Sequence, residues 1–240
     1  MKNKVALVIP TYNERENIIE IIDFINKINS AIDVFIVDDN SPDGTGNLIE
    51  RERSARKNLY IIHRVKKEGL GPAYIDGFKH VLKNKSYKYI IQMDADFSHN
   101  PEDIMRLLNM AKRCDVVVGS RYTHGGGVSE KWSVFRKFLS RIGNLYARLI
   151  TGLKIKDCTS GFKCYRREAL ESVNLNKKFL NGYGFQIQIL YELYRNGFSI
   201  CEIPIFFEER GRGKSKMGLN IVFEAFFSLI LLRIRNLFIE

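Results

Sequence analysis

Short apolar runs alternate with helix-like segments through the first half of the chain. The apolar runs cover residues 5–10, 33–39, 58–64, 89–95 and 115–120. The segments between them lie near residues 14–28, 44–56, 70–84 and 101–112. The runs do not alternate strictly between apolar and polar residues, which is typical of strands that are covered on both faces. The pattern therefore predicts an α/β fold with a mostly parallel central sheet.

Polar residues follow four of the predicted strands. These segments are PTYNE at 10–14, DDNSPDGT at 38–45, DAD at 94–96 and GSRY at 119–122. Ligands of open α/β sheets bind beyond the carboxyl ends of the strands, so we expect the four segments to converge on one crevice. Neither GxGxxG nor GxxxxGK[ST] follows the first run, so the sequence indicates neither a dinucleotide site of that kind nor a P-loop.

Two segments of the second half combine apolar residues with helical spacing. Residues 134–151 form a basic amphipathic pattern, which either lies in a membrane interface or packs on the core as an ordinary surface helix. Residues 219–240 are the most apolar segment, but their longest charge-free run is shorter than the ~18 residues that a membrane-spanning helix needs. Between the two segments we expect a polar loop, a helix, a strand and a basic loop, at 157–168, 184–196, 199–207 and 208–218.

The net charge of +11 comes almost entirely from the second half. Residues 1–120 contain 18 Lys and Arg against 17 Asp and Glu, whereas residues 121–240 contain 20 against 10. This asymmetry suits an anionic partner of the basic half, such as nucleic acid, a membrane surface or a phosphorylated substrate. A scattered, solvated basic surface is the simpler alternative.

The cysteines and the start of the chain bear on the compartment. The four cysteines lack CxxC spacing, which predicts free thiols in a reducing compartment and no zinc site; they are Cys114, Cys158, Cys164 and Cys201. The first apolar run is too short for a signal-peptide core, so we expect a protein that is not secreted.

Two acidic pairs at strand ends are the main chemical signal. Asp94 and Asp96 supply hard oxygen ligands without histidine or thiolate, which favours Mg²⁺ or Mn²⁺ held together with substrate phosphates. A chance Asp-x-Asp or a helix cap is the alternative. Asp38 and Asp39 either accept hydrogen bonds from a base or ribose, or belong to an Asx turn, because NSPDGT is strong turn sequence.

These motifs, in this order, resemble the polyprenol-phosphate (dolichol-phosphate) mannose synthases of glycosyltransferase family two. The matching segments are VIPTYNE, VDDNSPDGT, GLGPAYIDGF, MDADFSHNPED, VGSRY, DCTSGFKCYRRE, NGYGFQIQ and ERGRGKSKMG. The resemblance implies a GT-A type nucleotide-sugar-binding fold over residues 1–218, with a nucleotide half at 1–120 and an acceptor half at 121–218. Residues 219–240 would then form an apolar interfacial helix that completes a C-terminal amphipathic, membrane-facing part.

The resemblance also implies roles for particular residues. The nucleotide-sugar site would contain Pro10, Tyr12, Glu14, Val37, Asp39, Asp94, Ala95, Asp96, Arg121, Arg210 and Lys216. The lipid phosphate would bind Arg121, Arg136, Ser140 and Arg210, and the residues expected to act in catalysis are Asp96, Arg121 and Arg210. Some relatives have glutamine where this chain has Ser98, and there it helps to bind the metal. Some relatives also have C-terminal membrane-spanning helices; from the length of the apolar runs we expect none within residues 1–240.

The implied reaction is inverting transfer of mannose from GDP-mannose to a polyprenyl monophosphate. A phosphate monoester is mostly a dianion at neutral pH, since its second pKa is about 6, so it needs no general base. The expected location is the cytoplasmic face of a membrane, with a small membrane-anchoring protein as a possible partner. A polyprenyl-phosphate glucosyl or N-acetylhexosaminyl transferase that uses a UDP-sugar is the alternative. A nucleic-acid-binding protein ranks low, because no RNP, KH or helix-turn-helix signature is present, and so does a non-catalytic scaffold.

Overall fold

A seven-stranded sheet forms the centre of the protein in the computed structural model, which describes residues 4–180, 182–209, 229, 230 and 233. The strands of this sheet are β1 (Lys4–Thr11), β2 (Ile32–Asp38), β3 (Leu59–His63), β4 (Tyr87–Gln92), β5 (Val116–Ser120), β7 (Lys163–Arg166) and β8 (Ile200–Pro204). A separate two-stranded pair consists of β6 (Gly127–Val128) and β9 (Phe206–Phe207). The helices are α1 (Ile18–Asn29), α2 (Thr45–Arg53), α3 (Leu70–Leu82), α4 (Asp103–Met110), α5 (Val134–Thr151), α6 (Arg167–Glu171) and α7 (Gly182–Arg195).

The order of the sheet is β3-β2-β1-β4-β7-β5-β8, and all neighbours are parallel except those of β7. β7 runs antiparallel between β4 and β5. The prediction of an α/β fold with a mostly parallel sheet is confirmed. The loop predicted at 157–168 is wrong for Lys163–Arg166, because a four-residue strand with a cation at each end carries no apolar run.

Helices cover both faces of the sheet, which explains why the strands read as continuous apolar runs. One face packs against α3, α6 and α7, and its core includes Phe78 and Phe185. The other face packs against α1, α2 and α4. In α1 the isoleucines at 18, 21, 22 and 25 are all buried, which is the spacing of one helical face.

The apolar side of α5 faces outward. The helix buries Asn144, Ala147 and Thr151 against the protein, while Phe135 and Phe138 are 67% and 60% exposed. Ala147, Tyr146 and Ile150 pack against the core, so one side of the helix packs on the protein as the alternative expects, while most of its apolar stripe is left exposed. A helix long and apolar enough to span a bilayer is not found among the described residues.

The cysteine prediction is wrong for one pair. Cys114 and Cys201 form a disulfide, because the parallel pairing of β5 with β8 brings residues 87 positions apart to a Cα–Cα distance of 6.1 Å. Cys158 and Cys164 are free and buried. The spacing of the cysteines in the sequence does not indicate this disulfide, since the two cysteines come together only through the order of the strands.

Most of the apolar C-terminal segment lies outside the described residues. Of the part that is described, Leu229 is 2% exposed and packs in the core on the α3 and α7 side. Arg233 Nη1 donates a hydrogen bond of 3.0 Å to the hydroxyl of Tyr191 in α7. At these positions the segment covers the core.

The close contact between α3 and β1 depends on a glycine. A Cβ at Gly77 would lie 2.4 Å from Val8 Cγ1, which is too close for any side chain. We expect Gly77→Ala to destabilise the protein by about 2–3 kcal/mol through overpacking. Gly143→Ala is the matched control, because a Cβ there meets nothing within 4 Å in the middle of α5. The control should raise the free energy of unfolding by up to about 1 kcal/mol, because alanine is a better helix former than glycine. Urea unfolding of the wild type and both variants measures these changes.

Candidate active site

Asp38 holds together the carboxyl ends of β1 and β2, where the sequence predicts the ligand site. Asp38 Oδ1 accepts hydrogen bonds from the hydroxyls of Thr11 (3.0 Å) and Ser41 (2.6 Å), and Oδ2 accepts one from the Ser41 amide (3.1 Å). Its carboxylate is buried and fully engaged in this turn. Asp38 therefore matches the Asx-turn interpretation.

Asp39 has a different environment, because a buried arginine neutralises it. Its carboxylate forms an ion pair with Arg64 and accepts the amides of Glu68 (3.2 Å) and Gly69 (2.9 Å) at the start of α3. Arg64 also contacts Asp76 and Glu68. Burial alone would lower the pKa of Arg64, but its hydrogen bond to Asp76 and the charge of Asp39 raise it above the ordinary value. A ribose would therefore have to use the remaining lone pairs of Asp39.

The other predicted nucleotide residues lie beside these turns. The Glu14 amide donates to Thr45 Oγ1 (3.1 Å), and the ammonium of Lys67 lies 3.7 Å from the ring centroid of Tyr12. Pro10 and Val37 are neighbours in the β1–β2 register, and both are buried. Val37 is 0% exposed, so its side chain lies in the core beneath the crevice.

Asp94 and Asp96 follow β4, and both accept hydrogen bonds from hydroxyl or amide groups. Asp94 Oδ1 accepts a hydrogen bond of 2.9 Å from the hydroxyl of Tyr74, and its side chain is a quarter exposed. Asp96 is buried, and its Oδ1 accepts the amide of Ser98 at 3.1 Å and the Ser98 hydroxyl. Ala95 between them is also buried. Ser98 therefore supports Asp96.

A glycine and a histidine pack against Asp94. A Cβ at Gly161 would lie 2.9 Å from Asp94 Oδ2, so only glycine leaves this carboxylate in place. The Asp94 amide donates to His99 Nδ1 at 3.4 Å. Burial lowers the pKa of His99, in keeping with a neutral ring whose Nδ1 acts as an acceptor.

The donor set fits a hard divalent cation that shares phosphate oxygens. Among the described residues, no group of three or more His, Cys, Asp or Glu side chains could hold a metal without other ligands. Mg²⁺ is usually held by one or two carboxylates together with substrate phosphates. Asp94 and Asp96 provide two carboxylates, so the residues present fit that arrangement.

Arg121 forms a buried ion pair that sequence reasoning missed. Its Nε and Nη2 donate to the two carboxylate oxygens of Asp157 at 2.7 and 2.6 Å, and its amide donates to Asp157 Oδ2 at 2.9 Å. Burial alone would raise the pKa of Asp157, but the charge and hydrogen bonds of Arg121 lower it. The carboxylate of Glu202 accepts the amides of Lys156 and Asp157, both at 2.9 Å. The only sequence signal was the position of Asp157 at the start of DCTSGFKCYRRE.

Two of the predicted acceptor residues, Arg136 and Ser140, lie one helical turn apart on α5. Arg136 lies 3.7 Å above the ring of Trp132 and 3.9 Å from a carboxylate oxygen of Glu209. Ser140 Oγ accepts a hydrogen bond of 2.6 Å from the hydroxyl of Tyr122, which follows Arg121. The structure therefore brings Arg136 and Ser140 next to the Arg121 region. Arg210 and Lys216 lie outside the described residues.

A buried lysine lies below the acidic pair. Lys163 on β7 is 0% exposed, and its ammonium contacts the carbonyl of Ser160 and Oε1 of Gln186. Gln186 Oε1 also accepts a hydrogen bond of 2.7 Å from Gln92 at the end of β4. Burial lowers the pKa of Lys163 to about 7, although the charges of Asp157 and Asp94 act in the opposite direction. No pattern in the sequence indicated this group.

The buried ion pair yields a stability prediction. Since the folded-state pKa of Asp157 is lowered, its ionised form stabilises the fold above the unfolded value of about 3.9 and loses this effect as the pH falls through the folded value. Asp157→Asn should therefore cost about 3 kcal/mol at pH 7, because it leaves Arg121 buried and uncompensated. The difference from wild type should shrink below pH ~4, as measured by urea unfolding across pH.

Asp115→Asn is the matched control for this prediction. Asp115 also pairs with an arginine, Arg166, at 3.2 Å, but both side chains are more than a quarter exposed. Its removal should cost about 1 kcal/mol or less. Equal losses in the two variants would contradict the special weight given to the buried pair.

The sequence of this chain matches one protein family and is similar to several known proteins. The model of "Glycosyl transferase family 2" matches residues 6–173. A polyprenol monophosphomannose synthase from Mycolicibacterium smegmatis is 41% identical over 94% of this chain and 85% of its own length. An undecaprenyl-phosphate mannosyltransferase from Micrococcus luteus is 40% identical over 92% of this chain and 90% of its own length. A dolichol-phosphate mannosyltransferase from Pyrococcus furiosus is 37% identical over 92% of this chain and 61% of its own length.

Solved structures show the same fold. The glucosyl-3-phosphoglycerate synthase of Mycobacterium tuberculosis, in complex with Mn²⁺, uridine diphosphate and glucosyl-3-phosphoglycerate, superposes with a TM-score of 0.68 at 18% identity. The match covers 97% of this chain and 80% of that chain. The predicted GT-A fold and the predicted resemblance are both confirmed. From the family match and these three relatives we conclude that the chain is a glycosyltransferase and belongs to glycosyltransferase family 2.

Proposed function

We propose that this protein transfers mannose from GDP-mannose to a polyprenyl monophosphate, with release of GDP. The three relatives at 37–41% identity are named for mannosyl transfer, and each name contains a polyprenol, undecaprenyl or dolichol group. The observation that carries the proposal is the arrangement of charges at the end of the sheet. The Asp94 amide donates to His99, whose ring contacts Phe207, and the guanidinium of Arg121 lies over that same Phe207 ring.

The two carboxylates would hold a divalent cation, Mg²⁺ or Mn²⁺, together with the donor diphosphate. When bound, such a cation offsets the negative charge that develops on the departing GDP. The residues themselves keep the acidic pair in place. Tyr74 fixes one oxygen of Asp94, Gly161 packs against the other, and Ser98 holds Asp96.

The acceptor determines what else the protein supplies. A lipid phosphate dianion is already a nucleophile, so the site needs positive charge to bring it close to the anionic donor. Guanidinium groups suit phosphate because they donate in a planar fork. Arg136 on α5 and Arg210 would contact this phosphate, whereas Arg121 is 6% exposed and paired with Asp157, so its part would be to fix the wall of the site behind them. Direct displacement would invert the anomeric centre and give a β-linked product from an α-linked donor.

The outward face of α5 suggests how the lipid is reached. Its exposed apolar side chains include Phe135 and Phe138, and the same helix carries Arg136, Lys137, Arg141 and Arg148. A basic helix with a free apolar face lies in the headgroup region of an anionic membrane. We therefore place the protein on the cytoplasmic face of a membrane, where a small membrane-anchoring protein is a candidate partner.

Sugar transfer from a panel of nucleotide sugars tests the donor and the acidic pair. We expect transfer from GDP-mannose to polyprenyl phosphate in detergent with Mn²⁺ or Mg²⁺, and loss of transfer with EDTA. Asp96→Asn should lower the rate about 100-fold, because offsetting the leaving-group charge is worth several kcal/mol. Asp23→Asn is the control: that carboxylate on α1 is half exposed and pairs with Arg56, far from the crevice chemistry.

Three outcomes of this assay separate the possibilities. Transfer from a UDP-sugar only would overturn the mannose assignment and keep the fold and the acceptor chemistry. Transfer that survives both EDTA and Asp96→Asn would overturn the role of the acidic pair. Absence of transfer from every donor by the folded protein would reject the proposed reaction for this chain acting alone.

Vesicle binding tests the membrane face. Phe138→Glu on α5 should weaken binding to anionic vesicles at least tenfold, since burying a phenylalanine is worth about 1.5–3 kcal/mol. Met105→Glu is matched to it, because Met105 is 45% exposed on α4 at the other face of the sheet. Both changes add one negative charge, so an equal loss of binding would show that net charge rather than α5 directs the attraction. Flotation of the wild type and the two variants with anionic vesicles measures the change in binding.

A further inference from the structure

Trp132 is the only tryptophan of the chain, and it lies directly under the predicted acceptor arginine. It is 5% exposed and precedes α5 by two residues. Ser133 caps the helix, and its Oγ accepts the amide of Arg136 at 3.2 Å. The guanidinium carbon of Arg136 lies 3.7 Å from the centroid of the Trp132 ring. One capped helical turn therefore fixes both the ring and the arginine above it.

This contact restricts the guanidinium from one face of its plane. A cation over an aromatic face gains about 0.5–1 kcal/mol at exposed sites and about 2 kcal/mol when desolvated, and tryptophan is the best partner. Arg136 is 27% exposed, and its distance to Glu209 is a long 3.9 Å. A phosphate can approach the exposed edge of the guanidinium and replace this weak ion pair, while the ring still supports the opposite face.

Phe207 connects this stack to the rest of the crevice. Its ring meets Trp132 edge-on at 5.6 Å and His99 edge-on at 5.3 Å. The guanidinium of Arg121 lies 5.4 Å from its centroid. His99 accepts the amide of Asp94, so the stack reaches from α5 to the acidic pair. Phe207 is itself fixed in β9, which pairs with β6 at Val128.

We propose that Trp132, supported by Phe207, is a positioning residue for the acceptor phosphate. It holds the Arg136 guanidinium flat and at a set distance from Arg121 and from the donor diphosphate. This inference rests on the proposed transfer to a lipid phosphate and adds to it a residue that does not touch the reacting atoms. Loss of the ring lets the guanidinium rotate and pair more closely with Glu209.

The kinetic test compares acceptor and donor constants. Trp132→Leu should raise the KM for polyprenyl phosphate about tenfold, which corresponds to the strength of a partly desolvated cation–π contact. The KM for GDP-mannose should change less than twofold. Trp132→Phe keeps an aromatic face and should recover most of the loss. A general structural defect would instead lower kcat and raise both KM values in both variants.

Phe206→Leu is the control, because Phe206 precedes Phe207 in β9 but is 48% exposed. It should leave both constants unchanged. If Trp132→Leu transfers mannose with an unchanged acceptor KM, the positioning role is rejected and the proposed function stands. If the control shows the same loss as Trp132→Leu, the effect belongs to β9 packing, and the role is rejected as well.

Fluorescence supplies a readout that does not depend on turnover. Since Trp132 is the sole tryptophan, its emission reports the guanidinium above it. Titration of the wild-type protein with polyprenyl phosphate in detergent should shift or quench this emission, and Arg136→Met should abolish the change. Unchanged emission at acceptor concentrations that support transfer overturns the proposal. If no donor supports transfer, the proposed function fails, and an emission change that requires Arg136 still supports a lipid-phosphate site on Trp132.

Discussion

The buried ion pair between Arg121 and Asp157 is the interaction on which the candidate active site depends. Two charges removed from water are costly unless their geometry is good and their remaining hydrogen bonds are satisfied. Here both conditions hold. Asp157 receives two guanidinium nitrogens and the Arg121 amide, and Glu202 on β8 fixes the amide of Asp157 itself. The pair thereby joins the end of β5, the turn before β7 and the edge strand β8.

The same turn anchors the helix with the exposed apolar face. Arg121 Nη2 donates to Thr159 Oγ1 at 2.7 Å, and Asn144 Nδ2 on α5 donates to the same oxygen at 3.1 Å. Asn144 Oδ1 accepts the amides of Cys158 and Thr159 at 2.7 and 3.2 Å. These bonds explain why Asn144 is 2% exposed in a helix whose other residues are mostly exposed or half-buried. These hydrogen bonds fix the position of α5 relative to Arg121.

The four aspartates at the strand ends divide into types that the sequence does not distinguish. Asp38 belongs to a turn, and Asp39 is neutralised by Arg64. Asp94 and Asp96 accept hydrogen bonds from hydroxyl and amide groups, which orient a carboxylate without cancelling its charge. These printed contacts distinguish Asp94 and Asp96 from Asp39, whose carboxylate forms an ion pair with Arg64. The apolar runs and the strand-end motifs were enough to predict the α/β sheet and the polar residues at its strand ends, because both are local properties of the chain. Arg64, Asp157 and the Cys114–Cys201 disulfide were not predictable in this way, since each acquires its partner only through strand order. The insertion of β7 between β4 and β5 also has no local signal, and it is this insertion that places Gly161 against Asp94.

The two anchors of α5 together constrain how a membrane surface can act on the site. Asn144 holds the middle of the helix to the Arg121 turn, and the Trp132–Phe207 stack holds its first turn to His99 in the loop after β4. A helix attached at two points along its length cannot rotate about its axis without breaking one of them. Its outward apolar side chains and Arg136 therefore keep a fixed relation to each other. If that apolar face enters the headgroup layer, Arg136 is carried to the depth at which a lipid phosphate lies, and the acceptor arrives already aligned with the donor end of the sheet. The binding energy of the exposed phenylalanines then contributes to orientation of the acceptor as well as to membrane attachment, as expected when remote binding interactions position the reacting groups.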